Sequence, residues 1–373
     1  MIEVVFVHLG KEIPKHLVAN IKIIKSNFKN LKIHLILDNE LAIPKEEISF
    51  VKIHLLRVPE LETRTLFELA PDPNFRNGFW KLTLERLFIL GEFHKIYPET
   101  KFIHIESDVF LFPNFPLSKF EILERISWLK VSPTRDVAAL VFFPNLTETL
   151  TFLKRMMDEL RLGNWRDDME MLSFLMTNFP NDYSYLPTLN PDHLELGSEE
   201  IKTKEIEKQL ISNFEIFQGI FDGVHLGIWL AGWDPRNSYG ITRIRDLSLI
   251  SNAKGLLKPT NVEFLFDTDG SLKYFSNHKS TPVYSLHIHS KSLKIFSQDW
   301  KSEFERLINQ PSKNDKFLEF NPRIFLSLLN ESRRNRTLLA FILYSNKYSK
   351  RILQIFHPMI LKVKKRIKKV GNK

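Results

Sequence analysis

Two carboxylates one residue apart stand in the apolar stretch FIHIESDVFLF, which runs from residue 102 to residue 112. A strand this apolar is expected in the interior of a sheet. Burying a carboxylate is costly unless its charge is compensated. Either the polar triplet emerges at the end of the strand and faces solvent, or it holds a cation. Alternate residues of a strand point to one face, so Glu106 and Asp108 would converge on one hard cation such as Mg²⁺ or Mn²⁺.

Strands and helices alternate in the first part of the chain. Apolar runs and 3.6-residue periodicity predict strands at 3–9, 32–39, 50–58 and 101–112 and helices at 13–28 and 79–96. This alternation predicts an α/β fold, in which a mainly parallel, Rossmann-like sheet is flanked by helices. Ligands bind beyond the carboxyl ends of the strands in such sheets. Asp38 and the triplet at 106–108 are therefore expected on one edge.

The remainder of the chain is less regular. The pattern predicts helices at 146–162 and 164–176 (the second capped by Asn164), a loop at 177–200, an irregular stretch at 221–240 and a strand at 283–291. The segment 309–316, NQPSKNDK, is the best linker candidate. It divides a predicted catalytic domain at 1–308 from a basic helical extension at 309–373.

Composition and missing motifs exclude several classes of protein. The chain has no Cys, which excludes disulfides, thiolate nucleophiles and zinc–thiolate sites. It contains no Walker A loop, no G-x-G-x-x-G and no G-x-S-x-G, so P-loop, dinucleotide-binding and α/β-hydrolase functions lack their motifs. We see no secretory signal and no apolar run near the ~18 residues of a membrane span. A cytoplasmic location is expected.

The apolar strand with its acid-x-Asp triplet resembles the DxD region of GT-A glycosyltransferases, of the type that builds bacterial surface polysaccharides. The resemblance covers about residues 1–300 at the level of fold and motif. It implies a GT-A-like fold, a nucleoside diphosphate sugar as donor, and Mn²⁺ or Mg²⁺ on the diphosphate. Asp108 is the expected metal ligand. Glu106 stands where the family usually has Asp, and its longer side chain is an alternative ligand for ribose or water.

Two further stretches extend this resemblance. FVHLGKEIPKHLVANI, at 6–21, is similar to the first strand, nucleotide loop and helix of these enzymes. GFWKLTLERLFIL, at 78–90, is similar to the helix before the metal motif, where a basic residue approaches the nucleotide. The resemblance thus implies nucleotide-sugar contacts for Lys81 and Arg86, and Asp38 is a further candidate because it is expected at the same edge of the sheet. For Arg86 a solvated helix face is the alternative.

The segment LHIHSK, at 286–291, resembles the late histidine-containing segment that closes over the diphosphate in several GT-A families. His287 and His289 are two residues apart on a predicted strand and would face the same way. One of them could complete the coordination of the metal, and we prefer His289. Lys291 continues that face and could offset the charge of a leaving diphosphate. The alternative is that both histidines are structural or surface groups.

The segment WRDDMEML, at 165–172, offers a candidate base. An inverting transferase needs a carboxylate that deprotonates the acceptor hydroxyl, and Asp168 is our candidate. A retaining enzyme would not need it in that role. The alternative is that the acids only cap a helix and complement its dipole.

The stretch FDGVHLGIWLAGWDPRN, at 221–237, combines turn signals with aromatic residues. Trp229 and Trp233 are four residues apart, and aromatic faces bind sugar rings. We interpret the stretch as a wall of the acceptor or donor-sugar site, with Asp222 and Asp234 as its polar groups and Asp222 as a second catalytic candidate. The alternative is a well-packed turn region.

All of the net charge of +9 comes from the last part of the chain, because 332–373 contains no Asp or Glu and 13 Lys or Arg. Apolar residues recur there every three or four positions from Ile352, with a kink expected at Pro358. A basic amphipathic helix of this kind favours binding of 346–373 to an anionic membrane surface. Packing on protein is an alternative. A nucleic-acid arm is disfavoured because phosphate binding needs no apolar stripe.

Functions of other classes remain open on the sequence alone. A metal-dependent phosphotransferase or phosphodiesterase could use the same carboxylates and would release nucleoside monophosphate or phosphate. A non-catalytic membrane-surface binding protein would not need Asp108 beyond its contribution to stability. The prediction from the sequence is a peripheral, metal-dependent glycosyltransferase that acts on a glycan or lipid-linked acceptor.

Overall fold

A computed structural model describes residues 1–39, 46–57, 66–67, 78–196, 203–232, 234, 241–244, 263–276, 278–309 and 318–320. The strands are β1 (Glu3–His8), β2 (Ile33–Leu37), β3 (Lys52–Leu55), β4 (Phe102–Ile105), β5 (Val109–Leu111), β6 (Ile126–Lys130), β7 (Asp136–Phe143), β8 (Tyr183–Tyr185), β9 (Ile220–Phe221), β10 (Ile241–Ile244), β11 (Glu263–Phe266), β12 (Leu272–Ser276), β13 (Lys279–His287) and β14 (Leu318–Phe320). The α-helices are α1 (Lys15–Asn27), α2 (Phe79–Ile96), α3 (Leu146–Arg161), α4 (Asp168–Asn178), α5 (Lys204–Leu210), α6 (Phe214–Phe217), α7 (His225–Ala231) and α8 (Trp300–Asn309).

The central sheet has seven strands in the order β3-β2-β1-β4-β7-β6-β8. Strands β3, β2, β1 and β4 run parallel to one another, and β8 runs parallel to β6. Only β7 is antiparallel to its two neighbours. The predicted α/β fold with a mainly parallel sheet is confirmed.

Helices cover both faces of this sheet, which explains why its strands are apolar on both sides. Helix α1 packs through Leu17, Ile21 and Ile24 against one face. Helices α2, α3 and α4 pack on the other face, around Phe102 and Trp128. The carboxyl ends of β1, β2 and β4 are thereby left at one edge, between the two helical layers.

A second sheet, antiparallel in the order β11-β12-β13-β5, adjoins the first, and β9 adds to β13 in parallel. The chain passes from β4 in the first sheet to β5 in the second through only Glu106, Ser107 and Asp108. The expectation of one continuous strand at 101–112 was therefore wrong. The polar triplet forms the turn between the two sheets. Its carbonyls and carboxylates are therefore not constrained by the hydrogen-bond pattern of a strand.

Other differences from the predicted elements have local causes. Helix α4 begins after Asp167 instead of Asn164, because the Asp167 carboxylate accepts a hydrogen bond from Glu170 N at 2.8 Å and caps the helix. The predicted loop at 177–200 contains β8, and the predicted irregular stretch at 221–240 contains α7. Strand β13 ends at His287, so His289 lies beyond it.

The predicted domain boundary at 308 falls within the last turn of α8, and β14 in the predicted extension pairs with β10. The basic helix predicted at 346–373 lies outside the described residues. Among the residues that the structure does describe, none of the helices combines the length and apolarity needed to cross a bilayer.

Candidate active site

The turn between β4 and β5 is held by backbone hydrogen bonds to β7, to the residue after β13 and within the turn itself. Glu106 N donates to the carbonyl of Ala139 in β7 at 2.9 Å, and Ile288 N donates to the carbonyl of Asp108 at 2.7 Å. Within the turn, Val109 N donates to the carbonyl of Glu106 at 3.1 Å. The position of both carboxylates is thus set by both sheets.

The pairing of β5 with β13 brings a histidine to this turn. His287 is the register partner of Val109, so its ring lies beside Asp108. His287 Nε2 is 3.3 Å from Glu106 Oε2 and 3.6 Å from Asp108 Oδ1. The other ring nitrogen, Nδ1, lies 2.7 Å from the carbonyl oxygen of Gly223. Because a carbonyl only accepts, Nδ1 carries a proton and Nε2 faces the carboxylates.

Two cations hold the other oxygen of each carboxylate. Lys291 Nζ is 3.1 Å from Asp108 Oδ2. The guanidinium of Arg86 donates through Nη1 to Glu106 Oε1. Glu106 Oε2, Asp108 Oδ1 and His287 Nε2 are therefore left facing one another.

The charges of this group shift its pKa values. Burial alone would raise the pKa of Asp108, but Lys291 and His287 hold it well below its usual range. Burial would lower the pKa of His287, yet the Asp108 and Glu106 charges raise it to about 9. The Asp108 charge also raises the pKa of Lys291, and Asp234 adds to that effect.

The donor set fits a divalent metal. Glu106, Asp108 and His287 each offer one ligand atom, and these atoms lie within 4.8 Å of one another. Carboxylate oxygens suit Mn²⁺ or Mg²⁺, and an imidazole is a ligand of divalent transition metals. The carbonyl of Gly223 accepts the hydrogen bond that would orient the His287 ring toward the ion.

The structure favours His287 over His289 as the histidine of this set. The two rings are in contact, with centroids 4.3 Å apart, but the ligand group contains His287. Burial and the neighbouring His287 charge lower the pKa of His289 well below its usual value. Sequence reasoning preferred His289; it extended the strand to residue 291 and did not contain the register of β13 against β5.

Asp168 lies close to the triplet through Arg86, whose Nη2 is 3.0 Å from Asp168 Oδ2. Arg86 is thus shared between Glu106 and Asp168 and is not on a solvated helix face, since its side chain is 11% exposed. Burial raises the pKa of Asp168 to about 6, against the lowering effect of Arg86. Asp167, its neighbour, caps the helix.

The carboxylate of Asp222 accepts hydrogen bonds from backbone N–H groups. Its Oδ1 accepts from the N–H groups of Val224 and Leu226, both at 3.0 Å, and its Oδ2 accepts from Gly227 N at 2.7 Å. Oδ2 also lies 3.3 Å from His287 N. These contacts fix the turn that carries the Gly223 carbonyl, so the carboxylate predicted for catalysis holds the backbone of the site.

Gly227 allows α7 to approach β13 closely. A Cβ at this position would stand 2.0 Å from the carbonyl oxygen of His287, which is backbone and cannot move aside alone. We expect Gly227→Ala to displace the end of β13 and to lower the free energy of unfolding by about 1–3 kcal/mol. Urea unfolding would measure the change.

Gly10→Ala is a suitable control, because among the described residues its Cβ would meet only the flexible ring of His8, at 3.1 Å. Equal stability of Gly227→Ala and the wild-type chain would contradict the close approach of α7 to β13.

The remaining predicted site residues lie outside the group formed by Glu106, Asp108 and His287. Asp38 follows β2 at the same edge of the sheet, and its carbonyl accepts from Arg57 Nε at 2.6 Å. Lys81 lies in the first turn of α2. Trp229 is half-buried in α7, where it packs against the core under the second sheet. Trp233 lies outside the described residues. Asp234 is buried.

Two residues of α1 that sequence reasoning missed also contact the turn. Asn20 Nδ2 donates to the carbonyl oxygens of Ser107 and Val109, at 3.2 and 2.7 Å. His16 Nε2 lies 3.1 Å from Ser107 Oγ. A polar residue on the apolar face of α1, beside Leu17 and Ile21, was the available signal.

The solved structures to which this chain is similar include glycosyltransferases, the class that the sequence resembles. LgtC, a galactosyltransferase solved with donor and acceptor sugar analogues, has 8% identity and a TM-score of 0.35, and the match covers 56% of this chain and 83% of that chain. The apo form of the glycosyltransferase GlyE from Streptococcus pneumoniae has 15% identity and a TM-score of 0.32, with 50% and 45% covered.

The PaToxG glycosyltransferase has 11% identity and a TM-score of 0.33, with 56% of this chain and 83% of that chain covered. No protein-family model matches the chain, and a search among curated proteins finds no match. An activity for this chain must therefore follow from its own residues.

Proposed function

We propose that the chain is a divalent-metal-dependent glycosyltransferase that moves a sugar from a nucleoside diphosphate sugar to a glycan or a lipid-linked acceptor. One observation carries the proposal. A metal-compatible trio, Glu106, Asp108 and His287, lies beside the fixed cation Lys291 where the parallel strands end. Ligands of such sheets bind at this edge.

The residues of the site would have different roles in the transfer. A bound Mn²⁺ or Mg²⁺ would offset the negative charge of a diphosphate leaving group. Glu106, Asp108 and His287 would hold that ion. Lys291, whose side chain is 36% exposed, can reach a diphosphate with its ammonium group. Arg86 is held between two carboxylates, so its role would be to orient Glu106 and Asp168.

Asp168 is the proposed base for the acceptor hydroxyl. Only the ionised carboxylate can accept a proton, and burial raises the pKa of Asp168 to about 6. We therefore expect transfer to slow as the pH falls below about 6 and to level off above it. Rates measured between about pH 5 and pH 8, with Asp168→Asn beside the wild type, would test this. An unchanged profile in the variant would remove Asp168 from this role.

Other contacts to the substrates remain proposals from the sequence. Asp38 and Lys81 would contact the nucleotide sugar. Trp229, Trp233 and Asp234 would form the wall of the acceptor or donor-sugar site. Their single alanine variants would separate the two substrates, because a donor contact changes the KM for the donor and an acceptor contact changes that for the acceptor.

The test of the proposed function is a panel of nucleoside diphosphate sugars, incubated with the full chain and Mn²⁺, with and without EDTA. Release of nucleoside diphosphate from one donor, abolished by EDTA, is the expected result. Release of nucleoside monophosphate or inorganic phosphate would support phosphotransfer or phosphodiester cleavage instead. Absence of both turnover and metal-dependent nucleotide binding would overturn the proposal.

We further propose that 346–373 binds an anionic membrane surface, with a peripheral location on the cytoplasmic face. Each Lys or Arg near such a surface contributes about 1 kcal/mol, and salt screens the attraction. The full chain is expected to sediment with vesicles that contain anionic lipid, less so at high salt, and not with neutral vesicles. Equal binding to both kinds of vesicle, or to neither, would contradict the proposal.

A further inference from the structure

Asn20 is an unusual residue for its place in the fold. It lies on the buried face of α1 and is fully inaccessible to solvent. Its buried neighbours on the same helix are apolar: Leu17, Ile21, Ile23 and Ile24. Its side-chain oxygen Oδ1 is buried and has no hydrogen-bond partner among the described residues. A buried polar atom without a partner is unfavourable, and an apolar side chain at this position would avoid that cost. The fold of α1 therefore does not by itself explain an asparagine here.

The amide group of Asn20 supplies the explanation. Its Nδ2 donates two hydrogen bonds, to the carbonyl of Ser107 at 3.2 Å and to the carbonyl of Val109 at 2.7 Å. These two carbonyls flank Asp108 on either side. The carbonyl of Asp108 itself accepts from Ile288 N at 2.7 Å. All three consecutive carbonyls are thus held, two of them by one side chain of α1.

A second residue of α1 contacts the same turn. His16 stands one helical turn before Asn20, so the two side chains project from the same face. His16 Nε2 is 3.1 Å from Ser107 Oγ, and its ring lies against Phe296, with centroids 6.0 Å apart. The helix is therefore connected to the turn at both the backbone and the side chain of Ser107.

We infer that Asn20, assisted by His16, is a positioning residue that sets the direction of the Asp108 carboxylate for metal binding. Neither residue lies in the ligand group, so each would act through the turn. The inference rests on the proposed function, since it assigns a purpose to Asn20 only if the trio binds a metal. Hydrogen bonds that orient metal ligands commonly change metal affinity 10- to 100-fold when they are removed.

The test is a titration of the full chain with Mn²⁺, followed by the electron paramagnetic resonance signal of the free ion. Asn20→Leu keeps the approximate size of the side chain and removes the two donors. We expect its Kd for Mn²⁺ to rise at least about tenfold in the folded protein. Its urea midpoint should fall as well, because the carbonyls of Ser107 and Val109 lose their donor. A purely structural role would lower the midpoint and leave the Kd of the folded protein unchanged.

Asn27→Leu is the matched control, because Asn27 is the last residue of α1 and its Nδ2 is buried without a hydrogen-bond partner among the described residues. Its Kd for Mn²⁺ should stay within about twofold of the wild type. If Asn20→Leu does not fold, His16→Phe keeps a ring beside Phe296 and removes the bond to Ser107, and a severalfold rise in Kd is expected.

The outcomes are distinguishable. Binding of Mn²⁺ by the wild type with unchanged affinity in the folded Asn20→Leu or His16→Phe variant would overturn this inference and leave the proposed function intact. A wild-type chain that binds no Mn²⁺, with or without a nucleoside diphosphate, would overturn both.

Discussion

Replacing Asp108 by asparagine is expected to weaken Mn²⁺ binding at least about 100-fold and to abolish metal-dependent release of nucleoside diphosphate. Residues that merely orient a metal ligand are worth about 10- to 100-fold in affinity, so loss of a ligand should cost at least the upper value. The asparagine is nearly isosteric but carries no charge. It would leave Lys291 and His287 facing a site with one carboxylate fewer, which disfavours a further cation. Calorimetric titration with Mn²⁺ measures the effect.

Asp192→Asn is the control for this variant. Asp192 is an exposed carboxylate paired with Lys279 at 2.9 Å, remote in sequence from the metal trio. Its replacement should leave the Mn²⁺ affinity unchanged. Because Asp108 also compensates buried positive charge, circular dichroism and urea unfolding must show that Asp108→Asn is folded. A folded Asp108→Asn variant with wild-type affinity would refute the proposed metal site.

The second large effect is expected for Arg86→Met, which removes the cation shared by Glu106 and Asp168. The guanidinium donates to Glu106 and lies 3.0 Å from Asp168, and its side chain is only 11% exposed. Removing one partner from a buried ion pair leaves uncompensated charge and typically costs about 3–5 kcal/mol. We expect a loss of that order in the free energy of unfolding at neutral pH, measured by urea denaturation.

The pH dependence of this loss distinguishes charge from packing. Burial raises the pKa of Asp168 even with Arg86 in place. A carboxyl whose pKa is raised by folding binds its proton more tightly in the folded state, so its contribution to stability falls as the pH rises. Without Arg86 this effect should be larger. The deficit of Arg86→Met should therefore be smaller near pH 5 than near pH 8.

Arg135→Met provides the comparison for Arg86→Met. Arg135 pairs with Asp167 and Glu170, but its side chain is 35% exposed. Exposed pairs contribute about 0–1 kcal/mol, so a small and nearly pH-independent change is expected. If both arginine variants lost equal stability, the buried position of Arg86 would not be the cause of its effect.

The sequence predicted those parts of the fold that depend on local pattern. Helix α2 was expected at 79–96 and is found there, since its apolar period and its length both agree with a helix. The parallel strands and the common edge of Asp38 and Asp108 were also predictable, because alternation of strands and helices determines where the strands end. These inferences need no knowledge of distant contacts.

The details of the site depend on contacts between distant parts of the chain. The choice of His287 follows from its register opposite Val109, 178 positions earlier in the numbering. The hydrogen bond from Asn20 to the carbonyl of Ser107 connects α1 to the turn between β4 and β5. Asp222 was a catalytic candidate because it is a polar group in a stretch of turn signals and aromatic residues, whereas its four backbone contacts could not be seen in the sequence. Residue type could indicate the chemistry of a site, but the choice between two neighbouring histidines depends on the register of the strands.

The three residues between β4 and β5 are the shortest covalent path between the two described sheets, and two of them, Glu106 and Asp108, would hold the ion together with His287. A metal bound there would connect the two sheets at their junction. Ligand binding to the native state alone stabilises it by mass action. Here the bound ion would stabilise the junction between the sheets. Separation of the two sheets at this junction would therefore require release of the ion. The proposed metal site and the junction of the two sheets share the same short segment of chain.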